Sequence, residues 1–522
     1  MSFSNDFCEQ VLDWGDDAME RTTNRVIVTG FLMLAMFLSA MEGTIVATAM
    51  PTIVGELGGF SEFAWVFSIF LLTQAVSIPI YGRLADLYGR KPVFAIGTGL
   101  FIVGSLLCGL SHSIIMLILF RAVQGLGAGA VQPIATTIVG DLYPGSERAK
   151  VQGLLSSMWA LASVVGPALG GLIVQTIGWE WIFELNVPLG IAAILGIVFF
   201  LHEKVEHHMA KIDFIGAALL ITSVCLLILA LLTAGVEWAW TSPQIIGSFA
   251  VAVILFVVFL YTESKVKQPM LPLSLMQRPV VAIANISALI TGAITLGTSS
   301  FIPTFAQGVL GTSAFVAGAV IVTISIGWPI ASILSAKLIW SFGYRTIAVC
   351  GLVFCLVGAL CLLTIQPGIS PWLIAGYNLL IGLGLGLASN VQIISIQSNV
   401  DWKQRGIATG SNMFSRILGS TVGVAVLGTV VNGSLSGALR ALPVSKGLNN
   451  PTSATNFLLN TSLRNHLPIS TLHVLIGALG HSIHLAFFAV VALAVLGVII
   501  SFGVPGGIPD ETGKVTGDAV PE

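Results

Sequence analysis

The chain has 522 residues, of which 55% are hydrophobic and 9% charged, with a formal net charge of −2. A soluble surface needs roughly a quarter of charged residues, so the composition excludes a water-soluble globular protein, and no nucleic-acid partner is expected. Five of the six cysteines (Cys108, Cys225, Cys350, Cys355 and Cys361) lie inside apolar runs and point to no disulfide framework.

From the start, Asp6, Glu9, Asp13, Asp16, Asp17 and Glu20 give an acidic segment, 1–24, the opposite of a basic cleavable signal. Apolar runs of about 20 residues then recur almost to the end. Stretches such as Ile114 to Phe120 and Ala489 to Ile500 are apolar all round rather than alternating, which predicts helices and not barrel strands. Spans are expected near 25–50, 63–82, 93–110, 114–141, 150–175, 185–202, 214–234, 245–262, 280–303, 314–338, 346–365, 372–398, 406–431 and 482–503. The fold class is therefore an all-α polytopic membrane protein with fourteen transmembrane helices.

Basic residues near span ends stay on the cytoplasmic side, and this tests the count. Arg21, Arg25, Arg83, Arg90, Lys91, Arg148, Lys150, Lys204, Lys211, Lys265, Lys267, Arg278, Lys337, Arg345, Lys403, Arg405 and Lys514 fall on one side. Opposite them stand only Arg440, Lys446 and Arg464, in one long polar loop, 433–480. Both termini are expected in the cytoplasm, in a bacterial inner or plasma membrane. His466, His473, His481 and His484 gather near that loop; without cysteines or spaced carboxylates they read as a solvated loop, and no metal or cofactor is expected.

The short turn Gly82 to Pro92 packs Arg83, Asp86, Arg90 and Lys91 with Gly82 and Gly89 between two apolar runs. A stop-transfer loop needs only the basic residues. The acid and the glycine spacing point to a gating contact in which Asp86, Arg90 and Arg83 latch onto the neighbouring half, with Asp141 as a further partner. Gly125-Leu126-Gly127-Ala128-Gly129 returns 257 residues later as Gly382-Leu383-Gly384-Leu385-Gly386, and Arg148 and Gly153 return as Arg405 and Gly410. A weaker copy of the turn follows Lys337 as Phe342-Gly343-Tyr344-Arg345. Two halves of six spans are implied, with a surplus pair between them. The boundaries are 25–203 for the first half, 204–278 for the extra pair and its linkers, 279–503 for the second half, and 504–522 for a cytoplasmic tail.

Four motifs resemble the major facilitator superfamily, in its fourteen-span drug:proton antiporter branch: Gly82 to Pro92; Arg121-Ala122-Val123-Gln124-Gly125; Gly166-Pro167-Ala168-Leu169-Gly170-Gly171; and Glu42-Gly43-Thr44-Ile45-Val46 with Met50-Pro51. The chain departs from the branch at Ala162, where glycine is usual, at Glu42, where aspartate is commoner, and at Glu180, where arginine is usual. The resemblance implies a role for Arg121 in proton transfer and an antiporter motif at Gly166, Pro167, Gly170 and Gly171.

The residues point the same way. Glu42 lies deep in an apolar run, where a carboxylate is costly and its neutral form is favoured, so it is the best proton carrier in the chain. Arg121 cannot discharge and must find a carboxylate, a carbonyl or water. Gln124 and Gln132 follow it at helical spacing, Asn412 and Arg416 make a similar face in the second half, and Asn390 and Gln392 lie on one late span; these six are expected to line a substrate cavity, although polar pairs of this kind also serve as interhelical glue. No nucleotide-binding or hydrolase motif appears, so an enzyme is not expected. The expected function is a proton-coupled antiporter exporting lipophilic, cationic drugs across the cell membrane as a monomer. The alternative is export or import of one specific metabolite or lipid by the same fold.

Overall fold

Apolar runs this long must satisfy their backbone groups internally, and in the computed structural model they are helices. The structure describes residues 23–57, 63–203, 214–234, 238–266, 273–440 and 468–508, with 455, 458, 459 and 464. The helices are α1 (Arg25–Leu57), α2 (Phe63–Tyr88), α3 (Arg90–Gly109), α4 (Ile114–Leu142), α5 (Gly145–Thr176), α6 (Asn186–Phe200), α7 (Phe214–Thr233), α8 (Pro243–Glu263), α9 (Pro279–Thr304), α10 (Ala314–Leu362), α11 (Pro371–Asn399), α12 (Arg405–Arg440) and α13 (Ile469–Ser501). A short turn, Glu180–Glu184, precedes α6. Among the described residues twelve helices are long and apolar enough to cross a membrane. In α7 the apolar stretch Ile215–Leu231 is shorter, and α10 is two arms meeting at Gly343.

The residues 1–22, the linker with Lys204 and Lys211, Lys267, Lys446, His466 and the tail with Lys514 lie outside the described residues. The expected loop 433–480 is helical at both ends, because α12 runs on to Arg440 and α13 begins at Ile469. Leu435 and Leu439 on α12 and Leu475, Leu479 and Ile483 on α13 recur at one-turn spacing, and all are buried in one cluster with Phe305 and Val309. His473, His481 and His484 therefore ride on α13 rather than in a loop.

The two halves repeat in three dimensions. Lipid tails give no hydrophobic drive between helices, so close packing depends on small residues. Gly125 and Gly129 of α4 face Phe70 and Gln74 of α2, and Gly127 faces Phe101 of α3; their copies Gly382, Gly386 and Gly384 of α11 face Ile324, Trp328 and Gly351 of the two α10 arms. A Cβ at any of the six would lie 2.7 Å or less from a backbone atom. The joints between the paired helices also match: Gly89 (φ 93°) between α2 and α3, and Gly343 (φ 79°) within α10, both occupy the left-handed region open to glycine.

α1 to α6 pack as one group and α9 to α13 as another. They meet along two seams, α2 against α12 and α5 against the first arm of α10. The surplus hairpin α7–α8 lies on the first seam. Leu220, Val224 and Ile228 of α7 and Phe259 of α8 are buried with Leu72, Ala75 and Val76 of α2, and Phe414 and Ile417 of α12 pack against them.

Candidate functional site

One buried polar cluster joins five elements of the first half. α1 supplies Glu42, α4 supplies Arg121 and Gln124, α3 supplies Ser105 and Cys108, α6 opens on Asn186, and α2 offers the carbonyl of Val66. Glu42 and Arg121 are fully buried. Arg121 Nη1 donates to Glu42 Oε1 at 2.5 Å and to Gln124 Oε1 at 2.9 Å, while Nε donates to Val66 O. Asn186 Nδ2 donates to Glu42 Oε2 at 2.8 Å and to Ser105 Oγ at 2.8 Å, and Gln124 Nε2 also reaches that hydroxyl. The Arg121 guanidinium lies 4.1 Å from the centre of the Phe70 ring. Every charge here is matched, as a pair withdrawn from water requires. Of these partners Ser105 had no signal in the sequence, and Asn186 only the resemblance of the stretch Trp179 to Pro188 to the antiporter branch.

The antiporter motif packs beside this cluster. Gly166 of α5 faces Thr44 of α1, two residues from Glu42, and Thr44 Oγ1 donates to Ala162 O. Gly170 is buried, whereas Gly171 has open space where a Cβ would stand. The side chain of Pro167 lies outside the described set.

The second assembly closes the basic end of the bundle. At the opposite end three helix starts are capped by their own serines: Ser113, Ser242 and Ser313 accept from the N–H groups of Met116, Ile245 and Val316. At the basic end two caps come from elsewhere in the chain. Asp86 of α2 accepts from the N–H groups of Gly406 (2.9 Å) and Ile407 (2.7 Å), at the start of α12 in the other half. Glu203 accepts from Arg90 N and Lys91 N, at the start of α3. Arg90 ties these together: it donates to Asp86, to Asp141 and to Trp402 O, and lies 3.8 Å from the Trp402 ring centre. Asp141 also accepts from Arg405 at 3.0 Å. The contact is possible because Gly82 and Gly406 let α2 and α12 touch backbone to backbone; a Cβ on Gly82 would lie 2.7 Å from Gly406 O. Arg83, half-buried three residues before Asp86, feels the charges of Asp86 and Glu263 without an ion pair among the described contacts, and the close contacts of the latch are those of Arg90 and Arg405.

The six residues expected to line one cavity do not form one set. Gln124 belongs to the Glu42 cluster. Asn390 donates to Ser335 Oγ, Ser332 O and, across the second seam, Ala149 O, so it ties helices together. Gln132 is half-buried on α4, apart from both groups. Gln392, Asn412 and Arg416 do gather in the second half: Gln392 donates to Ser287 Oγ at 2.7 Å, Arg416 Nη2 donates to Gln392 Oε1 at 3.5 Å, and Asn412 donates to Ala284 O. A separate cavity of about 390 Å³ lies nearer the opposite end, between Ser68 and Leu72 of α2, Ile228 of α7, Leu296 of α9 and Thr421 to Ser436 of α12, and none of the six lines it. Periodicity put these residues on plausible faces but could not say which faces converge.

Two matched helix groups, a latch between their ends and buried charges at membrane depth define a membrane transporter. The family model of the Major Facilitator Superfamily matches residues 32–424, and the chain belongs to that superfamily. It is 37% identical over 413 residues to the multidrug transporter protein MdtP of Bacillus subtilis (strain 168), covering 79% of this chain and 76% of that one. It is 34% identical over 495 residues to multidrug resistance protein 3 of the same organism, covering 93% and 97%. Among solved structures it resembles the human organic anion transporter MFSD10 (TETRAN), with a TM-score of 0.60 at 15% identity over 92% of this chain and 99% of that one, a likeness of fold alone.

Proposed function

We propose that the chain is a proton-coupled antiporter that exports lipophilic compounds across a cell membrane. The relatives named multidrug transporters support export of drugs, and the observation that carries the coupling is Glu42: a fully buried carboxyl shared between Arg121 and Asn186. A proton arriving at Glu42 cancels one partner of that pair and leaves Arg121 without its counter-charge, so the cluster must rearrange. Coupling requires such a group, and each proton moving inward through 100 mV yields about 2.3 kcal/mol.

In this reading α10 crosses twice and α7 crosses once, giving fourteen crossings with both termini and the latch in the cytoplasm. The latched basic end and the cavity at the other end describe a state closed to the inside. A cationic cargo was the expectation drawn from the acid alone. Arg121 already neutralises that acid, so Glu42 serves the proton, and the charge preference of the cargo is set elsewhere.

The test is dye transport in inside-out vesicles, with ethidium as a lipophilic cation and fluorescein as a lipophilic anion. The expected result is uptake of at least one dye that a protonophore abolishes and that Glu42→Gln lacks. Proton-dependent uptake retained by Glu42→Gln removes Glu42 from the coupling.

A further inference from the structure

Arg416 is the one charge of the membrane interior that has no acidic partner among the described residues. It lies eleven residues into α12, roughly 16 Å along the helix and so near the middle of a bilayer. Its Nη2 makes one long bond to Gln392, its Nε is buried with no hydrogen-bond partner, and its guanidinium stands 5.8 Å from the centre of the Trp328 ring. The reason is written in the sequence: between Pro279 and Ser501 the only acid is Asp401, in the turn at the basic end. The nearest alternatives in the other half are committed. Glu42 is held by Arg121 and Asn186, Asp86 by Arg90 and the start of α12, and Asp141 by Arg90 and Arg405.

An arginine cannot lose its charge, and one at this depth needs a counter-anion. Arg416 and Trp328 are both half-buried, so part of the guanidinium is reachable although its Nε is enclosed. The two residues stand on α12 and on the first arm of α10, the two helices through which the second half meets the first. A solute held between the halves would meet a planar cation with free N–H groups, the amide of Gln392 and an indole face. That combination suits a carboxylate attached to an apolar or aromatic body.

We propose that Arg416, with Gln392 and Trp328 beside it, receives the anionic group of the cargo, so that the exported compounds are lipophilic organic anions. This rests on the reading of the chain as an exporter but not on its proton coupling. The experiment is equilibrium binding of fluorescein to the purified full-length protein in detergent, in gluconate buffer, without any ion gradient. Wild type binds; Arg416→Gln binds about tenfold more weakly or worse, the loss expected for one charge-assisted contact, and Arg416→Lys falls between. The Arg416→Gln variant unfolds at the wild-type temperature or above it, because the charge removed has only the long Gln392 bond and the Trp328 ring and no acidic partner among the described residues; a lower unfolding temperature makes Arg416 a structural residue and overturns the proposal. Absence of fluorescein binding by wild type, or equal binding by Arg416→Gln, also overturns it. So does an affinity that drops to the Arg416→Gln level when chloride replaces gluconate, which assigns the guanidinium to an inorganic ion. Binding through Arg416 together with dye transport indifferent to the proton gradient keeps this site and refutes the coupling instead.

Discussion

Arg121 touches Glu42 and Gln124 through Nη1 and the Val66 carbonyl through Nε, so the planar spread of the guanidinium sets the geometry of all three contacts. Arg121→Lys keeps the charge and loses the fork; proton-driven dye uptake is expected to fall by about tenfold or more, with the protein still present at normal levels by immunoblot. Retained uptake in that variant would show that charge alone suffices. Glu42 and Arg121 were legible in the sequence because a charge in an apolar run is costly and stands out. Ser105, which completes the same cluster, was not, and Asn186 stood out only by resemblance: a lone amide or hydroxyl near a span end is ordinary, and only the fold brings α3 and α6 against α1. Arg416 was visible as an oddity, but its isolation from any acid emerges only when the neighbouring helices are in place.

The latch turns on the start of α12. Asp86 supplies the cap that α12 lacks within its own sequence, and charge-assisted bonds of this kind contribute about 1.5–3 kcal/mol each. Asp86→Asn retains one acceptor and loses the ion pair with Arg90, so the latched population is expected to fall about tenfold or more. Distances between spin labels on the exposed Tyr88 and Asp401 would lengthen in the variant; an unchanged distribution would show that Asp86 does not hold the ends together. Gly82→Leu is expected to act in the same direction through sterics, since α2 and α12 touch there. The turn's charges and glycines marked it as a gate, whereas the trans cap of α3 by Glu203 left no sequence signal, because capping partners far apart in the chain share no spacing. The helix ends at 440 and 469 were missed for a related reason: their leucine faces are buried by tertiary packing, not by hydropathy.

For the molecule as a whole, the glycine repeat at a spacing of 257 residues predicted two equivalent halves, and the same six glycines make equivalent contacts in each. The halves differ in charge. The first holds its own matched pair at membrane depth, while the second holds, among the described residues, a cation without an acid; in the proposed mechanism the proton belongs to one half and the solute to the other. Phe259→Ala, in the surplus hairpin, is expected to lower the unfolding temperature by loosening α8 from α7 and α2 while leaving the proton dependence of uptake intact. Altered coupling in that variant would give the hairpin a part in the transport cycle.

That hairpin also makes the bundle lopsided within the plane of the bilayer. It lies over the junction of α2 with α12, whereas beside the α5–α10 junction Trp159, Leu161, Ile326 and Ile330 stand exposed. The two flanks of the bundle therefore offer different faces to the acyl chains: one seam is screened by the hairpin and holds the cavity beneath it, and the other presents bare apolar side chains.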